Sequence, residues 1–274
     1  MNCSNPLALT EIYECSYRLT AIATGAYFQN KIERRPCPDQ SWGRLDLTSS
    51  DNWGPLKKCI GNKTKNLKRI VVILESPHTD EYMCTDSPQP ANGKTGKSIQ
   101  KGLRCVINNY KDSKWVPDEK YEIIIMNAIQ YQLSLGSSTQ KYRDQMFIRM
   151  WAHEAVRNNF IARLTKYQPD IIINCCTNGE RFIDEKEKKT RKMSLKYAAS
   201  VLNIEKKSLC DHGFTGTRLK DFVWNAVKTC TFENPVNPLF FECQHPASWG
   251  RKTKNGVIEL ELTKWRPIGV TSKL

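Results

Sequence analysis

Arg69-Ile-Val-Val-Ile-Leu74 runs without interruption into Glu75-Ser76-Pro77-His78. The apolar part is β-branched and short. That composition predicts a buried strand of a covered sheet rather than a half-exposed one. The polar part follows at once, so it sits at the strand's C-terminal end. Two further runs repeat the arrangement. Glu122-Ile-Ile-Ile-Met126 leads into Asn127-Ala128, and Leu239-Phe-Phe-Glu-Cys-Gln244 leads into His245-Pro246-Ala247-Ser248-Trp249. Asp170-Ile-Ile-Ile-Asn-Cys175, after Pro169, supplies another strand without such a polar motif. A parallel sheet gathers its strand ends along one edge, and ligands bind outside that edge. A carboxylate, a carboxamide and an imidazole are therefore expected to converge from distant parts of the chain.

Helical stretches separate these strands. Apolar spacing predicts helices over about 7–26, 98–110, 141–166 and 214–229. Residues 30–66 contain Pro36, Pro38, Gly43, Gly54, Pro55 and Gly61 and read as loop. Residues 178–212 are charged and read as mixed helix and loop. The tail offers one strand, Gly256 to Leu262. Strands alternating with helices give an α/β fold around a central, mainly four-stranded parallel sheet. Residues 1–66 are read as a helical and loop extension packed on the core, and 67–274 as the α/β domain. The charged run from Glu185 to Lys192 reads as solvated surface.

The 274 residues carry a formal net charge of +14, which points to a polyanionic partner, most simply nucleic acid. Mean hydropathy of -0.56 and the lack of any long apolar run exclude a membrane protein. The N-terminus lacks the basic-then-apolar form of a signal peptide. The 11 cysteines are odd in number and irregularly spaced, and several fall in apolar runs. That pattern suits reduced thiols in a cytoplasmic protein. Cys210-Asp-His212 and Cys243-Gln-His245 are weighed as zinc ligands, but core thiols beside a polar histidine explain them better, and no metal or cofactor is expected.

Ala91-Asn-Gly-Lys-Thr-Gly-Lys97-Ser98 nearly matches a phosphate loop, with Ala in place of the first Gly. A true phosphate loop follows directly on a buried strand. The preceding Cys84 to Pro90 cannot be a central strand. Lys94, Lys97 and Ser98, with the glycines ahead of a helix N-terminus, are expected to contact a nucleic-acid backbone instead.

The ordered set of motifs resembles the uracil-DNA glycosylase superfamily over roughly residues 69–250. Leu74-Glu75-Ser76-Pro77-His78 is similar to the first motif of that family, which in some branches reads Gly-Gln-Asp-Pro-Tyr and in others Gly-Glu-Ala-Pro-Gly. Ile-Ile-Met-Asn127-Ala128 resembles the Leu-Leu-Leu-Asn-Ala of its second strand. His245-Pro246-Ala247-Ser248-Trp249 resembles the terminal His-Pro-Ser-Pro-Leu. The resemblance implies a three-layer α/β/α fold and a monofunctional DNA glycosylase acting as a monomer on a flipped-out base. It implies that Asn127 reads the base edge and that His245 donates a hydrogen bond to the departing base.

Glu75 stands where one branch carries Glu, and Ser76 replaces the water-activating Asp of another. Glu75 and Asp80 are therefore both candidate acids. Pro77 shapes the turn, and His78 replaces the Tyr or Gly that faces the C5 edge of the base. That change suggests a pocket that admits a modified pyrimidine. Repair of uracil, and defence against the hydroxymethylated or glucosylated cytosines of phage DNA, both remain open. Tyr82 and Tyr131 are candidate aromatic platforms. Trp249 stands at the Leu that wedges into the duplex. Ser248, Arg251 and Lys252 are candidate phosphate contacts. Alternatives are a non-catalytic DNA-binding protein on the same fold and a nucleotide hydrolase using Ala91–Ser98.

Overall fold

The computed structural model describes residues 6–24, 34–46, 60–61, 67–83, 87–108, 120–133, 139–179, 182–184, 189–191, 193–233, 238–249 and 264–265. In chain order the elements are α1 (Pro6–Thr24), β1 (Gln40–Asp46), β2 (Lys68–Leu74), α2 (Lys94–Asn108), β3 (Lys120–Asn127), α3 (Thr139–Ala152), α4 (Glu154–Tyr167) and β4 (Ile171–Asn174). They continue with β5 (Phe182–Asp184), β6 (Lys189–Arg191), α5 (Leu195–Leu202), α6 (Leu219–Lys228), β7 (Leu239–Glu242) and β8 (Lys264–Trp265).

The main sheet runs β1-β3-β2-β4-β7-β8. Its four inner strands are parallel, and β1 and β8 join antiparallel at the two edges. Residues on the inner strands alternate between two dry faces. Ile70, Val72 and Leu74 pack with Ile123 and Ile125 against Ile99, Leu103 and Val106 of α2. Val71 and Ile73 pack with Ile124 and Met126 on the other side, against Phe147 and Trp151 of α3, Phe160 of α4 and Phe222 of α6. Both faces are covered, giving three layers, and this is why the strands read as unbroken apolar runs.

The sequence reading differs from the structure in four places, of which the mildest is that the helix expected over 214–229 begins only at Leu219. The expected loop over 30–66 contains β1, so this part of the N-terminal segment belongs to the sheet and makes it mixed. Gln40-Ser-Trp-Gly-Arg-Leu-Asp46 has little apolar alternation. Its register slips between Ser41 and Arg44, and Gly43 adopts φ +87°, which hides the strand from a pattern search. The single helix expected over 141–166 is two. His153 is extended (φ -79°, ψ 126°), and Arg157 Nη1 takes the freed α3 carbonyls of Trp151 and Ala152 at 2.7 and 2.8 Å. Part of the charged 185–192 run pairs as β6 with β5. The strand expected over 256–262 lies outside the described residues, and the described tail strand is β8. No described helix is long and apolar enough to cross a membrane.

From β2 the chain passes to β3 on one side, and later from β4 to β7 on the other. The C-terminal ends of β2 and β4 are therefore the point where the strand order reverses. In open α/β sheets that point leaves a crevice between diverging connections.

Candidate functional site

A cleft of about 340 Å³ opens at this reversal point. It falls at the small end of ligand sites, which span roughly 300–1,000 Å³. Its floor is the turn after β2 (Glu75, Ser76, Pro77 and His78). One wall comes from Asp80, Glu81 and the start of α2 (Gly93, Lys94, Thr95), and the other from Arg143 of α3, Thr177 after β4, and His245 and Ala247 after β7.

The turn is held by a carboxylate. Glu81 caps the short helix Thr79–Tyr82 by accepting from the His78 backbone N–H, and its other oxygen accepts from Ala91 N at 3.0 Å. Ala91 needs this support, because it is a non-glycine residue at φ +58°. Burial pushes the Glu81 carboxyl up to about 8, with the Ala91 amide pulling it down and Asp80 adding to the rise. Asp80 itself is more than half exposed, 3.8 Å from His78 Nδ1. The start of α2 sits close beneath. A Cβ on Gly96 would meet the Ala91 carbonyl at 1.9 Å and the Trp42 ring at 2.5 Å, so only glycine fits there.

Glu75 is 3% exposed, and each of its oxygens faces a fixed group. Oε1 lies 2.9 Å from Arg143 Nε, and Oε2 accepts from the Thr177 hydroxyl. His245 caps the helix Pro246–Ser248, with Nδ1 accepting from Ala247 N at 3.2 Å. That bond leaves Nε2 to carry the proton of the neutral ring. Burial pushes the imidazole down to about 4. Glu75 pulls it up, while Arg143, Lys220 and His78 add to the depression. His245 is thus a neutral donor at physiological pH. Lys220 of α6, itself buried, donates to Cys243 O at 3.1 Å and fixes the strand end that carries it.

Asn127 ends β3, in register with Leu74. Arg163 Nη2 holds its backbone carbonyl at 3.0 Å, and the same guanidinium grips Asp39 at 2.7 and 2.8 Å. The side chain is 1% exposed, and neither amide atom has a hydrogen-bond partner. Such a group is costly to bury. Asn127 is beside the cleft through Leu74 but does not line it.

Several expected site residues stand elsewhere. Tyr131 is core: it stacks on Tyr13 at 5.0 Å and its hydroxyl meets Thr10 at 3.1 Å, anchoring α1. Tyr82 lies off the cleft, with its hydroxyl 3.4 Å from Gln130 O. Trp249 is 8% exposed, packs in the α2-side core and donates to Gln244 O at 2.9 Å, so it does not project as a wedge. Lys97 and Ser98 lie further along α2, and Ser248 bonds His245 O at 2.7 Å; none of the three lines the cleft. Arg251 and Lys252 lie outside the described residues. His212 Nδ1 is 2.8 Å from Ser208 O, and among the described residues no group of three or more His, Cys, Asp or Glu is placed to hold a metal ion.

The residues missed by sequence reading are Glu81, Arg143 and Thr177. Arg143 had a signal: with Met146, Phe147 and Met150 it forms an i, i+3, i+4, i+7 stripe, which puts a guanidinium on the inward face of α3. Glu81 had one too, three residues after its cap. Thr177 had none.

The fold and the site together define an α/β protein whose polar cleft sits at the reversal point of a mainly parallel sheet. No family model and no curated protein matches the chain.

Proposed function

We propose that this chain is a monofunctional DNA glycosylase of uracil-DNA glycosylase-like fold. It hydrolyses the N-glycosidic bond of a flipped-out uracil or modified pyrimidine, including hypermodified cytosines of phage DNA, as a cytoplasmic monomer without a cofactor. The observation that carries the reading is the meeting of the Glu75–His78 turn and His245 in one cleft, although they are remote in sequence. The net charge of +14 supports a DNA partner.

In this reading the bond from C1′ to the base breaks with its electron pair leaving on the base. His245 Nε2–H donates to the base oxygen as charge builds there, and a neutral donor suits that task because it need not surrender a proton. Glu75 opposes the positive charge that develops on the sugar. Water adds to C1′, and its proton passes to the departed base anion, which leaves a neutral free base and a C1′ hydroxyl. The uncompensated amide of Asn127 suits the Watson–Crick edge of a base, which would satisfy both of its polar atoms once the wall beside Leu74 yields. His78, half-exposed in the cleft with Asp80, Lys94 and Thr95 beyond it, offers polar lining to a substituent on C5.

The test is a panel of duplex and single-stranded DNAs bearing uracil, hydroxymethylcytosine or glucosylated cytosine, scored for alkali-labile abasic sites. Release from at least one, lost in Asn127→Ala and His245→Ala while DNA is still bound, is the expected result. Undiminished release by both variants would remove this site from the reaction.

A second reading, a DNA-binding protein without catalysis, draws on Ser76 standing in the Asp position. It expects salt-dependent binding and no abasic product on any substrate. A nucleotide hydrolase built on Ala91–Ser98 is the weakest reading, because the described residues between β2 and α2 hold only a short helix and turns. It expects nucleotide turnover that Lys97→Ala removes.

A further inference from the structure

We infer that Arg143 and Thr177 are positioning residues that fix the Glu75 carboxylate as a permanent charge under the substrate sugar. This rests on the glycosylase reading and assigns Glu75 an electrostatic role, not that of a base that takes a proton from water.

The two groups come from separate elements, α3 and the segment after β4: the Arg143 guanidinium is ion-paired with Oε1 at 2.9 Å while its hydrogen bonds go to Asp144, and the Thr177 hydroxyl donates to Oε2. A carboxylate ion-paired at one oxygen and hydrogen-bonded at the other has little freedom to swing toward a water. Glu75 is only 3% exposed, so solvent does little to hold its charge. Arg143 maintains it, and does so without cancelling it. The guanidinium also contacts Asp144 Oδ1 at 3.1 and 3.0 Å, and Asp144 is 3% exposed. One guanidinium thus serves two carboxylates and is not spent on Glu75 alone. A fixed negative field facing the cleft is what a cationic sugar needs, and it requires no reorganisation during the reaction.

The groups that face Glu75 are Arg143 from α3, with Asp144 bound to the same guanidinium, Cys176 and Thr177 from the end of β4, and His245 from the segment after β7. Lys220 of α6 faces Cys176 and His245 from behind.

The experiment compares Arg143→Met, Arg143→Lys, Thr177→Val and Thr177→Ser with the wild type in two measurements. The first is single-turnover base release across pH, on whichever DNA of the panel the wild type cleaves. Arg143→Met should slow release by about 10²-fold with DNA affinity little changed. Its acid limb should move to higher pH, because a buried carboxylate without its cation protonates sooner as pH falls. Arg143→Lys should keep the limb near its wild-type place, and Thr177→Ser should recover what Thr177→Val loses. The second measurement is infrared difference spectroscopy against Glu75→Gln at neutral pH. It should show a carboxylate band in the wild type and in Arg143→Lys, and a protonated carboxyl in Arg143→Met. A carboxylate band in Arg143→Met, or release at the wild-type rate with an unmoved acid limb, overturns the inference while the glycosylase reading stands. A wild type that releases no base from any DNA ends the glycosylase reading and the role of Glu75 with it. The infrared bands then still decide whether Arg143 holds the charge. If Arg143→Met does not fold, Arg143→Lys and the two Thr177 variants decide on both measurements.

Discussion

A buried arginine–carboxylate pair sits near each end of β2, and the two are built to different purposes. At the start of the strand, Arg69 Nε meets Glu122 Oε2 at 2.8 Å, across the β2–β3 register. Arg69 also donates to the carbonyls of Tyr167 and Gly61, and Ser41 donates to the other Glu122 oxygen at 3.0 Å. These bonds tie the sheet, α4 and the N-terminal segment together, and none of these residues lines the cleft. At the far end, Glu75 and Arg143 carry the same chemistry onto the wall of a cleft. Asparagines show the same contrast. Asn174, at the end of β4, donates to Lys220 O and accepts from Cys176 N, both at 3.0 Å. Asn127, at the end of β3, satisfies neither amide atom. A polar group with every bond made inside the protein serves the fold. Asn127 is left with bonds to make, and it stands beside a cleft.

Substitution can break this comparison, most severely at the closed end. Arg69→Met should cost about 3–5 kcal/mol of stability, because it strands a buried carboxylate. Arg143→Met should cost clearly less, since Glu75 lines the cleft and can be neutralised by a proton that enters through it, whereas Glu122 lies away from it; equal shifts in denaturant midpoint would make the two pairs alike. His245→Ala should slow base release by about 10²–10³-fold in single-turnover assays while leaving the melting temperature nearly in place.

The asparagine pair gives an intermediate effect. Asn174→Ala should lose about 1–3 kcal/mol, while Asn127→Ala should be near neutral, because it removes an amide that was never satisfied. Chemical denaturation of both reads the difference, and a large loss for Asn127→Ala would mean that its amide supports the fold.

His245 also sharpens the comparison through pH. Its folded value of about 4 lies below its ordinary value of 6.5. The unfolded chain therefore binds the extra proton first on acidification. The stability this group contributes is complete above about 6.5 and is lost as pH falls through about 4. His245→Gln should flatten that part of the stability–pH curve. The smallest effect is expected at Lys94, an exposed cation at the cleft mouth. Lys94→Ala should weaken DNA binding evenly across sequences and make the salt dependence shallower by about one ion.

Much of the frame is legible in the residues themselves. Runs such as Ile70–Leu74 and Ile123–Met126 have no polar alternation, and only a strand covered on both faces can accommodate them. The polar motifs could be placed at strand ends for the same reason. β1 was not legible, because a bulge at Gly43 breaks the period on which such reading depends. The break at His153 was not legible either, since it depends on Arg157 reaching back to the carbonyls of another helix.

Local sequence determined the strands, most of the helices, and the position of Glu75, Asn127 and His245 at strand ends. It did so because apolar periodicity and turn chemistry act over a few residues. Tertiary structure alone decided which of these share a cleft. It placed Arg143 and Thr177 on Glu75, closed the wall over Asn127 and turned Trp249 inward. Those outcomes depend on strand order and on which buried polar atoms find partners, and both are settled by contacts between segments far apart along the chain.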